Sequence, residues 1–97
     1  MNREADWFNK KIEYLTTLRD IIVSGLADDY RLQSAEASCW STIIEGALTE
    51  TTYLSEERKN KVGEEVKGIT SSLEKYALEH ANLMREIREL RLAMEES

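Results

Sequence analysis

From Val62 to Met94 the apolar side chains recur in steps of four and three. The row reads Val62, Val66, Ile69, Leu73, Tyr76, His80, Leu83, Ile87, Leu90 and Met94, so nine of its ten positions are apolar or aromatic. The mean spacing of 3.5 residues is that of a helix packed along its length against another. Val66, Leu73, His80, Ile87 and Met94 take the a positions of this heptad, and Val62, Ile69, Tyr76, Leu83 and Leu90 take the d positions. Such a seam needs a partner, and all ten residues are assigned to an oligomer interface. The pattern predicts a long helix over about residues 56–95, opened by a Ser55 cap with Glu56 and Glu57 where the helix dipole favours carboxylates. Gly68 is the place where this helix is open to bending, and Ser71-Ser72-Leu73-Glu74 fits a capping box that would restart it. The heptad phase runs through residues 66–76 without a slip, which favours one continuous helix.

Two shorter helices precede it. Over about residues 3–24 the pairs Trp7-Phe8, Tyr14-Leu15 and Ile21-Ile22 recur every seven residues, with Ile12 and Leu18 between them. Two adjacent apolar columns make a stripe wide enough to be buried by more than one neighbour. Asn2 or Asp6 is suited to cap its start, and Ser24-Gly25 to end it, because glycine takes the left-handed C-terminal conformation at little cost. Over about residues 34–49, Ala35, Cys39, Trp40, Ile43, Ile44, Ala47 and Leu48 fall on one face, with Trp40 the largest anchor and Asp28 or Ser34 as cap. Gly46 inside this helix costs about 1 kcal/mol relative to alanine, which suits either close backbone packing or early fraying.

The composition agrees with this reading and narrows it. Among 97 residues there is no proline, only four glycines, and 33% charged side chains. This mixture favours helices over sheets. The fold expected is all-α: three helices in one domain of residues 1–97, forming a coiled coil or helical bundle as a dimer. A helix of residues 56–95 would span about 60 Å, too long for a compact monomer of this size, whose radius of gyration would be near 13 Å. No apolar run reaches the roughly 18 residues of a membrane span, and Met1 to Asp6 lacks the apolar core of a signal peptide. The expected setting is the cytoplasm, away from membranes, which also suits a single cysteine with no intramolecular partner.

Charge then separates the segments. Residues 26–54 carry one basic and five acidic side chains, most of the net −6. A chain short of Lys and Arg disfavours direct nucleic-acid binding. It suits a basic protein partner instead. Asp28, Asp29, Tyr30, Glu36 and Trp40 combine acidic groups with aromatics and are the candidate surface for such a partner.

The candidate chemistry is thin. Gln33 with Ser38-Cys39-Trp40 resembles the active-site segment of papain-type cysteine proteases over eight residues, but the glycines, second cysteine and distant histidine of that family have no counterpart. A small buried cysteine beside a core tryptophan explains Cys39. Trp40-Ser41-Thr42 lacks the glycine that marks the small WXG-type secreted proteins. His80 has no second His or Cys one turn away with which to share a metal, so a structural role beside the seam is expected. Adjacent carboxylates such as Glu56-Glu57 and Glu64-Glu65 point about 100° apart on a helix and do not converge. No catalytic residue, cofactor site or metal site is assigned.

The function expected is therefore that of a non-enzymatic protein–protein interaction module: a small acidic coiled-coil adaptor, a chaperone, or an inhibitor or immunity protein of the kind phages and plasmids encode. The alternative is a regulator of nucleic-acid-binding proteins that presents acidic side chains in place of phosphates.

Overall fold

The computed structural model describes residues 3–96, with the side chain of Glu4 left aside. Among the described residues the fold is all-α, with three helices and no strand: α1 (Arg3–Val23), α2 (Tyr30–Glu50) and α3 (Glu56–Glu96). No helix among them is long and apolar enough to cross a membrane.

Of the two apolar columns of α1, the one through Phe8, Leu15 and Ile22 is buried between both neighbours, and the one through Trp7, Tyr14 and Ile21 lies along its edge, with Tyr14 exposed. Phe8, Leu15, Leu18 and Ile22 lie in the core, and Trp7 and Ile12 pack against it from the edges. Asp6 does not cap this helix: it sits inside the first turns and pairs with Lys10 one turn on, at 3.3 Å. Asn2, the other candidate cap, lies outside the described residues. At the C-terminal end Gly25 adopts φ 78°. Its N–H donates to the Ile22 carbonyl, and the N–H of Leu26 donates to that of Ile21, both at 3.1 Å. Those two bonds are a Schellman motif and satisfy carbonyls the helix leaves open.

Helix α2 starts four residues earlier than its apolar pattern indicates. Asp29 is the cap, in place of Asp28 or Ser34: its carboxylate accepts the Leu32 N–H, and Gln33 reaches back to accept the Asp29 N–H, both at 3.1 Å. The reciprocal pair fixes the start. The inward face is also rotated from the expected one. Ala37, Ser41 and Ile44 are buried, with Ala47, Leu48 and Trp40 partly so, whereas Ala35, Cys39 and Ile43 face outward. Serine at a core position is tolerated because the Ser41 hydroxyl donates to the Ala37 carbonyl at 2.9 Å. Cys39 is thus an exposed free thiol and not the buried core residue expected.

Buried Thr51 and Leu54 close the turn into α3, and the Ser55 hydroxyl accepts the Arg58 N–H at 3.2 Å as the expected cap. Helix α3 is continuous for 41 residues, with no restart at Ser71-Ser72. Ser72 instead donates to the Gly68 carbonyl within the helix, at 3.1 Å. At 1.5 Å per residue α3 is about 62 Å long, while the 21 residues of α1 or α2 cover about 31 Å. The molecule measures 67 × 21 × 17 Å as a result. Three helices bundle at one end to form a head, and the C-terminal part of α3 runs on alone as an arm.

Candidate protein interaction surface

Where head ends and arm begins is set by three rings. Tyr30, the first residue of α2, stacks on His80 with ring centroids 4.3 Å apart, and Tyr76 lies 5.8 Å from Tyr30 and 6.1 Å from His80. Beyond this cluster α3 has no companion helix among the described residues.

The heptad row therefore divides in two. Val62, Val66 and Ile69 are buried in the chain's own core, and Leu73 and Tyr76 pack against that core. Val62, Val66 and Ile69, assigned to an oligomer interface from the pattern, are instead enclosed by the chain's own α1 and α2, and Leu73 and Tyr76 lie at the edge of that core. His80 is half-buried under Tyr30. Leu83, Leu90 and Met94 are 53%, 65% and 76% exposed, and Ile87 is half-buried among its own helical neighbours. Met84 lies beside this row and is also exposed, while Leu78 and Leu92 are exposed elsewhere on the helix. Three arginines (Arg85, Arg88, Arg91) and four glutamates (Glu86, Glu89, Glu95, Glu96) alternate along the arm. The arm is nearly neutral, and residues 1–80 carry the remaining −5.

The five residues of the acidic candidate surface are not brought together as a free patch. Asp29 is committed to capping α2, and Tyr30 to the ring cluster. Glu36 accepts a hydrogen bond from the Tyr14 hydroxyl. That bond, with burial and the carboxylate charge behind it, raises the Tyr14 phenol above the usual tyrosine range. Trp40 is half-buried, edge-on to Tyr14 at 6.3 Å, with the Lys11 ammonium 4.4 Å from its ring centroid. Asp28 is exposed in the loop between α1 and α2.

A groove between α2 and α3 was not visible in the sequence. It is lined by the hydroxyl residues Ser34, Ser38, Ser41, Thr42 and Thr70, together with Glu45 and Glu74. The Thr70 hydroxyl oxygen is buried there without a hydrogen-bond partner. Nothing in the pattern of apolar positions points to such a groove, since α2 lines it with small polar residues. No three His, Cys, Asp or Glu side chains converge on a point suited to a metal ion among the described residues.

No family model, no curated protein and no solved structure matches this chain.

Proposed function

We propose that this protein is a non-enzymatic protein–protein interaction module of the cytoplasm, in which the three-helix head is a folded base and the arm of α3 associates with a second copy of the chain. One observation carries the reading. Leu83, Ile87, Leu90 and Met94 continue, without change of phase, the row that buries Val62, Val66 and Ile69 in the head, yet among the described residues no second helix covers Leu83, Ile87 or Leu90. A fully buried Leu, Ile or Met side chain gains about 1.5–3 kcal/mol over an exposed one, so covering the row supplies a large driving force for association. The arm's balanced charges favour a like partner. A strongly acidic or basic partner would find on it no excess of the opposite sign. The acidic middle segment is the weaker ground for a binding surface, because Asp29, Tyr30 and Glu36 already serve the fold.

Sedimentation equilibrium at tens of micromolar tests this directly. The wild type is expected to be a dimer, and Leu83→Asp with Leu90→Asp a monomer of unchanged head structure, since both side chains lie outside the core. A monomeric wild type at that concentration overturns the reading.

A further inference from the structure

We infer that the two arms pair antiparallel, with Leu83 of one copy against Met94 of the other, Ile87 against Leu90, and the heads at opposite ends. This rests on the self-association proposed above.

The argument begins with what already occupies the seam below the arm. At the level of Tyr76 and His80, α2 lies on one side of the a/d row, along Thr70, Leu73, Glu74 and Ala77. The end of α1 lies on the other, with Arg19, Asp20 and Val23 beside Ser72, Tyr76 and Glu79. Tyr30 sits over the row itself. A parallel partner brings its own α1 and α2 to that same level. Two α3 helices packed at Leu83 are about 8–10 Å apart. Seven residues lower, roughly 10 Å along the axis, they would have to admit helices from both heads between them. Straight helices cannot stay in contact through Met94 and also diverge that sharply. In the antiparallel arrangement each arm meets only the other arm, and the two heads of charge −5 are held apart.

The sequence of the arm carries a pull the other way. Isoleucine at a with leucine at d, and Glu86 placed to face Arg91, suit a parallel two-stranded coil. Exposed ion pairs contribute only about 0.2–1 kcal/mol each. Gaining two of them would require displacing the Tyr30 stack from Tyr76 and His80 in both copies, so the obstruction by the heads decides.

Antiparallel pairing also leaves no like charges opposed along the flanks. Met84 meets Arg91 of the second copy, whose aliphatic stem covers it, and Glu86 meets Ala93. The register follows from the same limits. A heptad slip toward the heads would set Met94 on Tyr76, which Tyr30 covers, and a slip outward would lose half of the four apolar layers.

The native thiol reads the orientation out. Cys39 is the chain's one cysteine and is exposed on α2. It lies nine residues, roughly 13 Å, below Tyr30, and the centre of the paired arms lies about as far above His80, so antiparallel dimers place nitroxides on the two Cys39 side chains about 55 Å apart. Parallel dimers set the heads side by side, and twice the 21 Å head width limits the separation to about 40 Å. The measurement is pulsed dipolar spectroscopy of the labelled full-length protein, with sedimentation of the same sample. A dimer with the longer distance is expected. A dimer with the shorter one overturns antiparallel pairing and leaves self-association standing, whereas a monomer without dipolar coupling overturns both.

Discussion

Tyr30 and His80 lie face to face, 4.3 Å between centroids and 26° between planes. They join the first residue of α2 to α3 at the level where the head gives way to the arm. Below them the a/d row is core, and above them the same row is surface. One continuous helix thus serves two purposes, and this pair marks the point of exchange.

If the pair fastens α2 to α3, the two side chains should be energetically coupled. A double-mutant cycle of Tyr30→Ala and His80→Ala, followed by urea denaturation, is expected to give a coupling of about 0.5–1.5 kcal/mol. Additivity of the two single variants would show that the rings are neighbours without mutual support.

Glycine in two helices is a weakness the packing does not require. A methyl group built on Gly46 or on Gly68 meets nothing within 4 Å. Close backbone packing is therefore not the reason for Gly46. Each glycine widens the unfolded ensemble without serving a contact, so Gly46→Ala and Gly68→Ala should each stabilise by about 0.5–1 kcal/mol. The denaturation midpoints of the single and double variants check this, and unchanged or lowered midpoints would argue against it.

The Tyr14–Glu36 hydrogen bond gives stability a specific alkaline limb. The bond needs the neutral phenol, and the folded protein holds that proton to higher pH than the unfolded chain, where tyrosine ionises near pH 10. Its contribution is present in full below that unfolded value and is lost as pH rises through the raised folded one. Tyr14→Phe removes it at every pH, so the stability difference between wild type and variant should be constant from about pH 8 to 9.5 and shrink above pH 10. A difference that does not change with pH in urea titrations would mean the phenol titrates alike in both states.

How far the sequence disclosed this arrangement depends on which face of each helix is asked about. The number of helices, the two-sided burial of α1 and the continuity of α3 follow from periodicity, since Phe8, Leu15, Val66 and Ile69 stand at positions only a helix brings together. The start of α2 was hidden because its first turn is fixed by Asp29 and Gln33 through hydrogen bonds, and the exposed Arg31 and Leu32 add no apolar signal. Its inner face is not legible in the apolar pattern, because Ala37 and Ser41, which are small, occupy core positions while Cys39 and Ile43 look outward. The division of the heptad row was not legible either. Val66 and Leu90 are equivalent in the pattern, and only the lengths of α1 and α2 decide which is covered.

That division makes the last prediction. The arm buries little of its own surface against the head, so a chain ended after Asn82 should keep the core of Phe8, Leu15, Ile22, Ile44 and Val66 intact. Exposed positions away from caps and core usually contribute within about 0.5 kcal/mol, so unfolding should remain cooperative, with stability within about 1 kcal/mol of the full-length monomer. The comparison has to be made at low protein concentration, because association of full-length chains adds stability that rises with concentration. The truncated chain should lack that concentration dependence altogether. The arm as a separate peptide of residues 83–96 should be largely unstructured, since helices shorter than about 12–15 residues are marginal in water. Thermal melts by circular dichroism at several concentrations decide the matter: a truncated chain that melts without cooperativity would show that the arm is part of the fold and not an appendage to it.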